Sequence, residues 1–333
     1  DFTDDEVWFS PTLASQEEKN LTGGDDTIHM SYGRLVVMGG GGADTLTGLG
    51  SDNAGNSGKA SAIFAGDSAS LSLTSDPDEW KVQIFESRRG PDGDLNLTGT
   101  RGSATYGKDV IDLGSGHLLA IGGEGDDSIS NGDGRAIVLG DHGEMVFSVS
   151  SDHKIATVTN AARTDVDESA LLSQIAGNDR IELGQGSLQI VMGGDGDDTV
   201  TTQTDWSGTP QAGALRNDSY FAGDRATIVF DSAAEGDRMT RFTAESDPAS
   251  GDGNDSFTTA DGDVRAVLGY GADSLTMGHG MAIVLGDVGE ILANPTSFAL
   301  NTLTYLPDAE PDRDGNDTIT SGDGDMAAIM GGG

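Results

Sequence analysis

Short apolar runs recur along the chain, and each ends on a Gly-Gly or Gly-Asp pair. They read LVVMGG (Leu35–Gly40), AIFAGD (Ala62–Asp67), LLAIGG (Leu118–Gly123), AIVLGD (Ala136–Asp141), QIVMGG (Gln189–Gly194) and AIVLGD (Ala282–Asp287). Four or five apolar residues closed by glycine predict buried strands. A second pattern alternates at period two around polar turns. It joins ASLSL to WKVQIFE across TSDPDE, EMVFSVS to KIATVTN across SDH, ATIVFD to RMTRFTAE across SAAEGD, and EILAN to ALNTLTYL across PTSF. These four stretches predict β-hairpin arms, one per repeat unit, projecting from one edge. EVWFSP near the start reads as the returning strand of a fifth arm, and ESALLSQI (Glu168–Ile175) as a short helix.

Between the apolar runs lies a nonapeptide, GGxGxDxUx with U apolar. It occurs as GGGGADTLT (Gly39–Thr47), GGEGDDSIS (Gly122–Ser130) and GGDGDDTVT (Gly193–Thr201), and LGYGADSLT (Leu268–Thr276) changes only the first glycine. Glycine permits φ > 0 and lets carbonyls crowd around a small ion. The Asp offers a hard carboxylate oxygen, and the apolar residue two positions later starts a strand with its side chain inward. A weaker loop precedes each copy, at Gly24, Gly107, Gly177 and Gly253, and a fifth begins at Gly315. The steps Asp26 to Asp44, Asp109 to Asp127, Asp179 to Asp198 and Asp255 to Asp273 are 18, 18, 19 and 18 residues. Eighteen is two nonapeptides, so each weak loop stands a fixed two repeats ahead of its partner.

The nonapeptide resembles the calcium-binding repeat of the RTX (repeats-in-toxin) family, as found in giant secreted bacterial surface proteins. That resemblance implies an all-β fold, a right-handed parallel β-roll or β-solenoid with coils of about 18 residues, interrupted here by the hairpin arms. It also implies Ca2+ between stacked loops. The ligands it points to are Asp44, Asp127, Asp198 and Asp273 in the nonapeptides, with the backbone of Gly40, Gly42, Gly123, Gly125, Gly194 and Gly196. Asp26, Asp109, Asp179, Asp255 and Asp317 serve in the weaker loops, and Asp141 and Asp287 after the AIVLG runs. The bland alternative for each Asp is a turn cap, common in glycine-rich loops. Segments such as SYGRLVVM and GSGHLLAI carry no regular Asp, so the opposite edge turns on glycine and polar contacts. A third coil is expected to end in each Gly-Asp, giving GDHGE and GDVGE loops with Met145 or Ile291 in the place of the ligand Asp.

Equivalent loops recur after 83, 70, 76 and 62 residues, dividing the chain into 1–20 (the end of an arm), units 21–106, 107–176, 177–252 and 253–314, and a truncated unit 315–333. LGSDNAGNSGKAS (49–61) and TDWSGTPQAGALRNDS (204–219) read as surface loops. The final Gly331–Gly333 falls where another GGxGxD loop would open, which predicts further covalent repeats or self-association.

The 56 acids against 18 bases give a net charge of −38. Of the acids 43 are Asp, a turn former, and this excess calls for divalent counter-ions. Phosphate binding needs a basic face that no segment offers, which excludes nucleic acid. No apolar stretch reaches a membrane span, and without cysteine there are neither disulfides nor thiolate metal sites. No HExxH or GxSxG motif occurs, Gly102–Lys108 approaches a P-loop but has Asp109 in place of Ser/Thr, and the five histidines are scattered, so no enzyme is expected. The purpose expected is an extracellular structural repeat protein, an adhesin shaft, surface filament or matrix component. The alternatives are a calcium-folded secretion segment of a toxin or hydrolase, or a glycan- or cell-surface-binding module using arm and loop aromatics such as Trp80, Trp206 and Tyr305.

Overall fold

The computed structural model describes residues 12–14, 25–50 (except 33 and 41), 61–73 (except 68), 82–87, 107–148 (except 124), 155–160, 177–203, 218–244 (except 232–237), 253–294, 300–306 and 315–331 (except 323–325). Its elements are all β-strands. EVWFSP, the Glu168–Ile175 stretch, the middle of the two expected surface loops (51–60 and 204–217) and most of Gly102–Lys108 lie outside the described residues, while 49–50, 61 and 218–219 at the ends of those loops belong to strands.

The chain shuttles between two parallel nine-stranded sheets. The first holds β2 (Thr27–Tyr32), β4 (Thr45–Gly50), β8 (Val110–Leu113), β10 (Ser128–Asn131), β14 (Arg180–Leu183), β16 (Thr199–Thr202), β20 (Ser256–Thr259), β22 (Ser274–Met277) and β26 (Thr318–Ser321), in that order. The second, in the middle of the molecule, holds β3 (Arg34–Met38), β5 (Ser61–Ala65), β9 (His117–Ile121), β11 (Ala136–Leu139), β15 (Leu188–Met192), β17 (Asp218–Ala222), β21 (Asp263–Val267), β23 (Ala282–Leu285) and β27 (Met326–Met330). One strand from each sheet makes a coil, an order compatible with a β-solenoid. The apolar residue of every GxDxU loop falls in one transverse row: Ile28, Leu46, Ile111, Ile129, Ile181, Val200, Phe257, Leu275 and Ile319 are successive register partners. This row packs on Leu118, Ala120, Val138, Val191, Phe221, Ala266 and Val284 of the middle sheet.

The arms differ from the expected projections. Their strands β1 (Thr12–Ala14), β6 (Ser70–Leu73), β7 (Val82–Ser87), β12 (Gly143–Phe147), β13 (Ile155–Asn160), β18 (Ala226–Phe230), β19 (Met239–Ala244), β24 (Gly289–Ala293) and β25 (Leu300–Tyr305) form a third nine-stranded sheet, antiparallel throughout. A lone hairpin is marginal in water. Here each hairpin pairs with the next and turns its apolar face onto the middle sheet. Leu71, Phe85, Met145, Val158, Ile228, Phe242 and Ile291 form the facing row, all fully buried. They share one cluster with Ile121, Leu139, Ile190, Met192, Tyr220, Val267, Ile283 and Leu285. The middle sheet is thus covered on both faces, which explains unbroken runs such as AIVL where an exposed sheet would alternate.

The expected third coil does not exist as a separate turn. Each Gly-Asp closes the second half of the coil begun by its nonapeptide, and the chain then enters the arm. Met145 and Ile291 do not stand in for ligands; they belong to the apolar row of the arm sheet because Gly143 and Gly289 open strands.

At one edge the coils approach so closely that a side chain has no room. The glycine two residues before each loop Asp stacks on its counterpart below: a Cβ on Gly177 would lie 1.7 Å from the Gly125 carbonyl oxygen, and one on Gly253 1.8 Å from that of Gly196. Gly331 has open space at the same test. Gly177→Ala is expected to lower stability by about 1–3 kcal/mol or more, the cost of overpacking, and Gly331→Ala to stay close to the parent. Thermal melts of the two variants check this, and equal midpoints would show that the edge can relax.

Candidate metal centre

The loops that carry the sequence motif all lie on the edge where the chain passes from the middle sheet into the first. Gly40, Gly42, Gly123, Gly125, Gly194 and Gly196 have φ of 105°, 126°, 122°, 114°, 119° and 121°, and Gly269 and Gly271 match them at 106° and 103°. Only glycine adopts such values without strain.

The nine loop aspartates form one ladder. Each backbone N–H donates to the Oδ1 of the next Asp in the stack, running Asp26, Asp44, Asp109, Asp127, Asp179, Asp198, Asp255, Asp273, Asp317, with distances of 2.7 to 3.1 Å. All the predicted loop aspartates are therefore brought together, nonapeptide and weak loop alike. The seven from Asp44 to Asp273 are at most 2 % exposed. In each of those seven the second oxygen, Oδ2, is buried and accepts no hydrogen bond. In all but Asp273 it faces the glycine that opens its own loop: a Cβ on Gly39 would lie 2.1 Å from Asp44 Oδ2 and 2.4 Å from the Gly66 carbonyl oxygen, and Gly140 repeats this with Asp179 Oδ2 and the Gly193 carbonyl oxygen at 2.0 and 2.4 Å.

A neighbouring row isolates what these carboxylates do. One residue earlier in five of the loops, the side chains of Asp25, Asp126, Asn178, Asp197 and Asn254 accept amide N–H groups from the next loop, with the polarity reversed. That outer row is exposed and mixes Asn with Asp, so accepting the amide does not need a charge. The inner row has Asp nine times out of nine, although Asn would satisfy the ladder equally.

Sequence reasoning treated the weak loops as lacking their first glycines. The structure supplies them from before the arm. Gly66, Gly140, Gly223 and Gly286 alternate with Gly39, Gly122, Gly193 and Leu268 in one backbone-bonded column, where Gly66 N donates to the Ile121 carbonyl and Gly140 N to that of Met192. Each weak loop is thus a nonapeptide cut after its second position, with an arm inserted. Asp67, Asp141, Asp224 and Asp287 fill that second position, so Asp67 and Asp224 belong with the predicted Asp141 and Asp287. Asp141 Oδ2 accepts the Asp195 amide at 2.6 Å, and Asp224 Oδ2 the Tyr270 amide at 2.5 Å. The signal was in the sequence, since every arm follows a Gly-Asp pair. The buried Arg225, whose Nη2 is 2.7 Å from Asp195 Oδ2, carried no comparable signal.

Burial dominates the electrostatics. It pushes Asp109 and Asp179 up to about 7, Asp255 to about 8 and Asp273 to about 9, with neighbouring carboxylates adding to the rise. Asp127 and Asp198 rise well above the usual carboxylate range through burial and then the charge of Asp179. Burial, and the charge of Arg225, lower His142 to about 4, so its ring is neutral. Buried, ionised oxygens without donors are costly unless a cation meets them. A hard divalent ion suits a donor set made only of carboxylate and carbonyl oxygen. Among the described residues no group of three or more His, Cys, Asp or Glu side chains gathers around one point. Backbone carbonyls must therefore supply much of any coordination shell, as the glycine-rich loops allow.

No protein-family model, curated protein or solved structure matches the chain. Among the described residues no helix is long and apolar enough to cross a membrane.

The raised carboxyls set a pH dependence. Without cations the folded chain holds protons that the unfolded chain has released above about pH 4, so this contribution to stability is complete below that pH and is lost as pH rises through about 7 to 9. In chelator, the β-sheet circular dichroism signal is expected to melt at lower temperature at about pH 9 than at about pH 5, and adding calcium near neutral pH is expected to release protons. Calcium uptake with no proton release would contradict this assignment.

Proposed function

We propose that the chain is a calcium-stabilised structural repeat protein of the RTX type, working outside the cell as a shaft, filament or matrix element. The observation that carries this reading is the buried row of seven Asp Oδ2 oxygens without hydrogen-bond donors, beside an exposed row that accepts Asn. A turn-capping role accounts for Oδ1 and leaves Oδ2 unexplained; calcium accounts for both. The ions would be held by Asp44, Asp109, Asp127, Asp179, Asp198, Asp255 and Asp273, with Asp26 and Asp317 continuing the row, carbonyls of the loop glycines completing the shells, and Asp67, Asp141, Asp224 and Asp287 beside them. A bound calcium neutralises the buried carboxylates and joins one coil to the next.

On this reading the coils are right-handed, the hand expected when twisted parallel strands connect. Extracellular calcium-binding modules work at weak affinity, where calcium is plentiful, and this supports a site of action outside the cell. The work is mechanical and not catalytic: every described strand is committed to one of three sheets, so the molecule offers a stiff slab on which further repeats or neighbouring copies can stack.

Asp127→Asn and Asp198→Asn keep an oxygen for the amide ladder but remove the charge. Each is expected to reduce the bound calcium by roughly one ion and to lower the melting temperature in calcium, while Asp112→Asn on the exposed face of β8 leaves both unchanged. Magnesium is expected to substitute poorly, because its octahedral shell adapts less readily to carbonyl-rich loops. Calorimetric titration decides; equal stoichiometry in all four proteins would leave only turn chemistry.

A further inference from the structure

Every arm junction has the same construction. A Gly-Asp pair closes a middle-sheet strand, and the following residue, Ser68, His142, Arg225 or Val288, opens the arm. The third position of the nonapeptide just before it is Gly41, Glu124, Asp195 or Tyr270. Both positions differ from unit to unit. In the third unit they are Arg225 and Asp195, an ion pair of 2.7 Å with both side chains 6 % exposed. In the fourth they are Val288 and Tyr270, both members of the apolar cluster beneath the arm sheet.

Arg225 pairs with a carboxylate of the neighbouring rung. It bonds Asp195, whose own amide is held by Asp141, and it directly follows the buried Asp224. A guanidinium is charged at any working pH and cannot leave, unlike a bound ion. We propose that Arg225 is a built-in counter-ion that keeps the third arm junction closed without a divalent cation. The chain then retains structure across β15, β17 and β18 when calcium is withdrawn. This rests on the calcium reading for its setting, since an internal cation matters most where the other cations are exchangeable.

The test is hydrogen exchange on the whole chain in excess chelator, comparing the parent with Arg225→Met and Arg225→Lys. Removing one partner of a buried pair is strongly destabilising, so Arg225→Met is expected to speed exchange in 188–194 and 218–230 by about tenfold or more, while Arg225→Lys keeps most of the protection. In saturating calcium, Arg225→Met is expected to regain protection and to bind one ion more than the parent. Equal exchange for the parent and Arg225→Met in chelator, or no protection in the parent there, overturns the proposal. Calorimetry on the parent separates the two ideas: no calcium bound sinks the calcium reading, whereas the chelator comparison still decides for or against Arg225.

Discussion

The structure depends on one interaction, the hydrogen bond from each loop aspartate's amide to the carboxylate of the next. To make it, the side chain must fold inward along the stack, which buries a carboxyl group on each of the seven inner rungs. The rest of the edge follows from that choice. The residue two before the Asp must be glycine, because the backbones now touch, and the opening residue must leave room for the second carboxylate oxygen. The nonapeptide is therefore a steric solution as much as an ionic one. Leu268 is the exception, and it enters the apolar cluster between the two parallel sheets instead.

The arms fit this frame because they enter at a point the ladder does not use. They replace the third position of the motif, between Gly-Asp and Gly-x-Asp, so the Asp column above and below stays in register. The spacing between units varies from 62 to 83 residues without disturbing a single rung of the described ladder. What comes back from each insertion is a hairpin of fixed polarity and phase. Its apolar face must therefore meet that of the preceding arm, and the hairpins fuse into one sheet.

The parallel coils and their ladder were legible in the sequence, because GxDxU fixes glycine, ladder aspartate and core residue at once. Ile28, Leu46, Ile129, Val200 and Leu275 occupy the inner row that their motif position predicts. The strand content of the arms was legible too, from period-two alternation in segments such as ATIVFD. Their destination was not. A hairpin pattern states that one face is apolar without naming what covers it, and the surface to be covered is the back of the middle sheet. The clue lay in runs such as AIVL, whose alternate residues Ile137 and Val138 serve opposite clusters. The split motif was missed because the eye seeks contiguous repeats, whereas hydrogen bonds across a rung are indifferent to what the chain does in between. Arg225 was invisible for a different reason: a single cation in an acidic chain has no periodicity to betray it.

Two kinds of cohesion thus run the length of the molecule on opposite sides of the middle sheet. On one side is the ladder edge, where buried carboxylates repel one another unless something neutralises them. On the other is the arm row from Leu71 to Ile291, which is apolar throughout and indifferent to ions. In a simple stack each coil touches only its neighbours, and losing one contact uncouples everything beyond it. Here successive arms pair with one another, so two adjacent units stay joined through the third sheet even where the ladder between them is weakened. Neutralising the ladder edge and packing the arms are consequently not redundant. The first bears on whether the charged edge closes, and the second on how far an opened edge can spread along the stack.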